Sequence, residues 1–233
     1  AYNIAGNTVA AANDAKKCYE MLPSFTAAGF LLAEIYEKSG EKEKSAELML
    51  MLSGNSPERE SMLYKAAILK YNNKDIDGAQ KTFEEILSSN NSHKESLYYM
   101  GNIHYSLKEY AKAKDFFSRI MELEPENNAA LTNFGIACFA LREYGSAEKY
   151  LEEALRLKPD NNAAAEMLGR AFFENKNYSK AAQFLEKIAP VINKKSVYIL
   201  LGRVKLETGK NLEALEALKK AAELSPKDRE VSY

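Results

Sequence analysis

"LEPENNAALTNFG" (Leu123–Gly135) and "LKPDNNAAAEMLG" (Leu157–Gly169) stand 34 residues apart and keep Leu, Pro, Asn-Asn, Ala-Ala and the closing Gly in register. An acid follows each Pro. Sliding the pattern along the chain finds further copies. Gly101, Gly135, Gly169 and Gly202 each follow a large apolar residue, Met100, Phe134, Leu168 or Leu201. Twelve positions after each Gly stands an Ala (Ala113, Ala147, Ala181, Ala214), and four beyond that Phe117, Leu151, Leu185 or Leu218. Most copies close on Pro125, Pro159 or Pro226. Self-similarity at such a period marks a solenoid, whose units bury their apolar faces only by stacking.

Within residues 128–161 the apolar positions run at helical spacing twice: Leu131, Phe134, Gly135 and Cys138, then Ala147, Tyr150, Leu151, Ala154 and Leu155. Each unit is therefore a pair of amphipathic helices. The turn "LREYGS" joins them, Pro159 stops the second helix, and Asn161-Asn162 lead into the next unit. Gly135 and Ala147 are small where two helices of a hairpin cross closely, because a larger side chain would force the backbones apart.

The 34-residue pattern of Leu, Leu-Gly, aromatic, Ala, Phe or Tyr, Ala and Pro resembles the tetratricopeptide repeat. That resemblance implies an all-α fold, a right-handed superhelical α-solenoid of stacked helix-turn-helix units. The expected organisation is a partial repeat over 1–25, of which "NDAKKCYEML" (Asn13–Leu22) reads as a second helix. A degenerate repeat follows over 26–59. Further repeats cover 60–93, 94–127, 128–161, 162–194 (one residue short) and 195–228, and residues 229–233 begin another first helix.

Departures from the pattern locate irregularities. Pro190 comes three positions early, so "APVINKKS" (Ala189–Ser196) is expected to be a loop that shifts the stacking. The turn glycine survives at Gly40 and Gly209 but is replaced by Lys74, Lys108, Arg142 and Lys176, each strained if the turn needs a left-handed residue. Leu215, Leu218 and Ala222 on the last full helix lack a following repeat, an uncapped face that implies pairing through that end or a longer protein.

Composition narrows the function. The 233 residues are 46% hydrophobic and 28% charged, an ordinary globular range. The longest apolar runs, such as Phe30–Ala33, are far too short to cross a bilayer. The chain starts on Ala without an initiator Met, which leaves room for a removed leader or upstream region, so the compartment is open, with the cytoplasm slightly favoured and the periplasm an alternative if a leader was removed. Lys plus Arg (32) nearly cancel Asp plus Glu (33), giving net charge -1 and no basic face for nucleic acid. Cys18 and Cys138 read as two separate thiols. There is no phosphate loop, CxxC or HExxH. His104 takes a core position that Cys138 and Phe172 occupy in later copies. No catalytic residue, cofactor or metal is expected, and the chain does not read as an enzyme.

Repeat arrays of this kind work through surface. In the family, the fifth, ninth and twelfth residues of each unit point into a concave groove. The resemblance therefore implies a partner-binding groove made of Phe30, Tyr64, Ile68, Tyr71, Tyr98, Asn102, Tyr105, Thr132, Ile136, Phe139, Glu166, Arg170, Phe173 and Arg203. Its middle is aromatic and aliphatic, and its C-terminal part is charged. The fifth positions carry no base, which disfavours the clamp that some family members use for a terminal carboxylate. The partner implied is a protein or peptide segment, apolar or helical, held by a non-catalytic adaptor. Two alternatives stand beside this reading: self-assembly through the uncapped ends, and a recruiting arm of a larger enzyme. Replacing Tyr64 and Tyr98 with Ala is expected to weaken partner binding with melting nearly unchanged.

Overall fold

Apolar residues recurring every three to four positions can be buried together only on a helix, and the pattern is written twice per unit. The computed structural model describes residues 7–22, 26–54 and 58–224. Those residues form thirteen helices and no strand. The first six are α1 (Asn7–Met21), α2 (Thr26–Lys38), α3 (Lys42–Ser53), α4 (Arg59–Asn72), α5 (Ile76–Ser89) and α6 (Lys94–Ser106). The rest are α7 (Tyr110–Leu123), α8 (Asn128–Ala140), α9 (Tyr144–Leu157), α10 (Asn162–Glu174), α11 (Tyr178–Ile192), α12 (Lys195–Glu207) and α13 (Asn211–Glu223). Pro226 and residues 229–233, read above as the close of one repeat and the start of another, lie outside the described residues.

The chain forms two compact units, residues 1–103 and 104–233. In the first, each helix from α1 to α4 packs on its successor. Leu32, Ala33, Ala46, Met49, Leu52, Met62, Ala66 and Leu69 are buried together there. In the second, each helix from α7 to α12 packs on its successor, and α10 also touches α8 and α12. Leu131, Leu151, Leu168, Phe172, Leu185, Val197 and Leu201 form its core. Both units are α-solenoids: consecutive helices stack, and first helices of neighbouring hairpins lie side by side in the second.

The glycines mark where paired helices meet. A Cβ on Gly135 would lie 2.7 Å from Leu151 Cγ, one on Gly169 2.6 Å from Leu185 Cδ2, and one on Gly202 2.8 Å from Leu218 Cγ. Real Cβ atoms do not approach so closely, so the second helix would have to move away. In the unit from Glu60, Ala67 and Phe83 take these two places, and both are fully buried.

All six hairpins turn alike. The N–H groups of Glu41, Asp75, Glu109, Glu143, Asn177 and Lys210 bond the carbonyls of Tyr36, Lys70, His104, Cys138, Phe172 and Lys205, five positions back, at 2.8–3.0 Å. This closure requires a left-handed residue just before the donor. Gly40 (φ 85°) and Gly209 (φ 73°) supply it freely. Lys74, Lys108, Arg142 and Lys176 are driven into the same region, with φ between 59° and 68°. The cost of placing a side chain there is about 1 kcal/mol each.

The junctions between repeats explain the paired asparagines. Asn127 accepts from Ala130 N–H at 3.0 Å and Asn161 from Ala164 N–H at 3.1 Å, capping α8 and α10. The second asparagine, Asn128, donates its amide to the Ala154 carbonyl in α9. Asn161 in turn donates to Asn128 Oδ1 at 2.7 Å and Thr132 Oγ1 at 2.9 Å. One chain of side-chain amides thus ties α8, α9 and the start of α10 together.

One feature differs from the reading of the sequence, and a second had no place in it. The stretch from Ala189 is not a loop: α11 continues through Pro190 to Ile192 and stops at left-handed Asn193. Proline is tolerated because it sits in the last turn, where only one intrahelical bond is lost. The eleventh position of the repeat, His104, Cys138 and Phe172, becomes Lys205 in the last unit, and it is only 3% exposed. Its ammonium bonds Glu186 of α11 and Glu213 of α13, so the charge crosses three helices. These carboxylates outweigh the burial and raise the Lys205 pKa.

Gly135→Ala and Gly145→Ala separate crossing from propensity, since both gain about 1 kcal/mol of helix preference. A Cβ on Gly145 meets nothing. Thermal denaturation is expected to show Gly145→Ala stabilised and Gly135→Ala destabilised; equal shifts would remove the steric account. Arg142→Gly should raise stability by about 0.5–1 kcal/mol by relieving the left-handed strain, against an entropic cost in the unfolded chain.

Candidate functional site

In the first unit Phe30, Tyr64, Ile68, Tyr71, Tyr98 and Asn102 are all half-buried. The tyrosines do not stand alone. Tyr99, which the repeat register leaves out of the groove set, stacks on Phe83 at 5.3 Å between ring centres with planes 9° apart. Tyr71 and Tyr98 meet Tyr99 edge-on at 5.2 and 6.0 Å. Tyr64 touches Phe83, His93 and Tyr99 at 6.3, 5.3 and 6.3 Å. Burial pushes the Tyr64 hydroxyl pKa up. Such contacts add to burial energy, so Tyr64 and Tyr71 carry packing as well as surface.

In the second unit the twelfth positions share one arrangement. Tyr105 leans on Tyr110, Phe139 on Tyr144 and Phe173 on Tyr178, at 5.2, 5.5 and 5.5 Å. The partner tyrosines recur at the same 34-residue spacing as the opening motif, so the periodicity already contained them. Phe173 is buried, while Tyr105, Ile136 and Phe139 are half-buried. Thr132 is buried and bonded within the asparagine chain, donating to the Asn128 carbonyl at 2.7 Å.

Glu166 organises the charged end. It accepts from Arg170 at 3.0 Å and from Ser196 at 2.9 Å, and lies 3.6 Å from Lys194 Nζ. The carboxylate thereby links α10 to the start of α12. The Arg203 guanidinium sits over the Phe173 ring, 4.4 Å from its centre. Next to these groups is a cavity of about 410 Å³ lined by Phe139, Arg170, Glu174, Ser196, Ile199, Leu200 and Arg203. All seven belong to first helices, α8, α10 and α12. Three were groove candidates, Phe139, Arg170 and Arg203. Ile199 occupies a fifth position, and Ser196 and Leu200 had no signal in the repeat register.

The remaining chemical candidates are packed. His104 is buried, stacks on Phe116 at 5.2 Å with planes 8° apart, and shares a 2.5 Å hydrogen bond between Nδ1 and Glu109. Burial, followed by the nearby Glu143 charge, pushes the Cys138 thiol up to about 12, so it stays protonated and unreactive at neutral pH. Among the described residues no three His, Cys, Asp or Glu side chains gather as a metal site would need. No helix among them is long and apolar enough to cross a membrane.

Two family models described as tetratricopeptide repeat match residues 132–193 and 196–228. A model described as anaphase-promoting complex, cyclosome, subunit 3 matches residues 72–154. No curated protein matches the chain. Among solved structures, a tetratricopeptide repeat protein from Parabacteroides merdae superposes with a TM-score of 0.62 at 20% identity, covering 96% of this chain and 89% of its own. MamA from Desulfovibrio magneticus gives 0.68 at 20% identity, covering 74% and 97%. YrrB, described as a TPR protein with an unusual peptide-binding site, gives 0.68 at 20% identity, covering 78% and 94%. At these identities the likeness is one of fold.

Because Tyr99 is the hub of the first unit's aromatic cluster, Tyr99→Ala should lower the melting temperature more than Tyr98→Ala, by about 2 kcal/mol or more of stability. Tyr64→Ala should also lower it, unlike the surface role expected from sequence. Melting of all three variants at the wild-type temperature would mean that the cluster contributes no stability.

Proposed function

This chain is a tetratricopeptide repeat protein, and on that premise we propose that it is a non-catalytic adaptor holding a segment of a partner protein against its first helices. The observation that carries the reading is the cavity of about 410 Å³, lined only by residues of α8, α10 and α12. A face built of first helices is free for a ligand, because the second helices pack behind it. Phe139, Ile199 and Leu200 give it an apolar floor, and arginines stand at its rim. That combination suits a side chain inserted from a helix or an extended segment. YrrB, which shares the fold, is described as having a peptide-binding site, and this supports peptide capture as a use of the architecture.

A second reading, self-association through α13, has its own observation. Leu212 and Leu215 are 80% and 50% exposed. Leu218 is 36% exposed, although its counterparts Leu151 and Leu185 are fully covered. An apolar row of this kind is a docking liability or a contact.

One experiment separates the two. The intact chain, Ile199→Lys and Leu212→Lys are used as baits in extracts of the native source, and each is sedimented over a concentration series. The groove reading expects a partner retained by wild type and Leu212→Lys but lost by Ile199→Lys, with melting unchanged. Retention by Ile199→Lys would sink it. Concentration-dependent dimers abolished by Leu212→Lys would establish the second reading.

A further inference from the structure

We propose that the cavity between α10 and α12 selects a partner segment in which an acidic side chain neighbours an apolar one, with Arg203 as the specificity-determining residue. This rests on the groove reading and adds the chemistry of the occupant.

The two arginines of the cavity differ in how their charge is met. Arg170 is already compensated by Glu166 at 3.0 Å, and the same carboxylate lies 3.6 Å from Lys194 and accepts from Ser196 at 2.9 Å. Glu166 thus has little capacity left. Arg203 has no carboxylate within ion-pair distance among the described residues, although it lines the same cavity. Its guanidinium lies over Phe173, 4.4 Å from the ring centre. The ring occupies one face of the guanidinium, and because Arg203 is exposed its N–H groups face solvent and remain donors to an incoming group. A guanidinium fork whose donors meet only solvent is the complement of a carboxylate.

The neighbouring residues restrict the occupant further. Glu174 lines the cavity from α10, also without a cation partner among the described residues. An incoming acid is repelled there and drawn to the α12 side, which orients the segment. Phe139, Ile199 and Leu200 offer it no polar partner, so the next side chain onto that floor must be apolar. A basic residue placed toward α12 would face the uncompensated Arg203 and is disfavoured.

The test is selection of a displayed random peptide library on the full chain, followed by affinity measurement by fluorescence polarisation with the best peptide. Enriched peptides are expected to carry Asp or Glu within one helical turn of Leu, Ile or Phe. Arg203→Gln should bind the best peptide about tenfold more weakly, and changing the peptide's Glu to Gln should erase that difference between wild type and variant. Amidating the peptide's C-terminus should change nothing; loss of binding on amidation would mean that a chain end, not a side chain, is recognised, and would overturn the proposal. Enriched peptides without an acidic bias, still lost on Ile199→Lys, would overturn it while leaving the groove reading intact. If no peptide is enriched, both fall.

Discussion

The close crossing of paired helices at a residue without a side chain is the constraint on which the rest of the structure depends. Gly135, Gly169 and Gly202 leave less than 3 Å between an ideal Cβ and the opposing leucine. That contact sets how far the second helix lies behind the first, and hence which face of each hairpin remains open. Interiors are packed too densely to absorb an added methyl without movement. The hairpin turn follows from the same geometry: the chain must reverse within three residues, and it does so through a left-handed position even where Lys or Arg must occupy it.

What links one hairpin to the next is different in kind. Around Asn128 and Asn161 the junction is polar, a chain of amide hydrogen bonds that caps one helix while holding the preceding pair. Around Lys205 it is ionic, a buried ammonium shared by carboxylates from the helices before and after its own. Losing one partner of either group strands a buried polar atom, which costs more than the bond contributed. These junctions specify register as well as adding stability.

The fold was legible because its determinants recur. A glycine forced by contact, an alanine twelve residues later and a left-handed turn return at a fixed interval, and repetition separates them from chance. The candidate site was legible only in part. Phe139, Arg170 and Arg203 could be placed by register, since register says which way a residue faces. It does not say what meets that residue there. Thr132 shares its register with Glu166, yet it is buried in hydrogen bonds made by Asn161, which lies 29 positions away in sequence. Tyr99 lies outside the groove register and still organises the tyrosines inside it. Lys205 was hidden for the opposite reason: it breaks the chemistry of its position, and only its two carboxylate neighbours make a buried lysine tenable.

Scaffold and the proposed recognition face therefore fall on different residues of the same repeat, the first on contacts between paired helices and the second on what first helices leave exposed. Methyl and arginine side-chain resonances in a titration with a bound peptide distinguish the two sets directly. The account predicts that Ile199, Leu200 and the Arg203 Nε–H shift with saturation, while Leu151 and Leu185 behind the crossings stay in place. Shifts centred on Leu212 and Leu215 of α13, with the α12 signals unmoved, would contradict it.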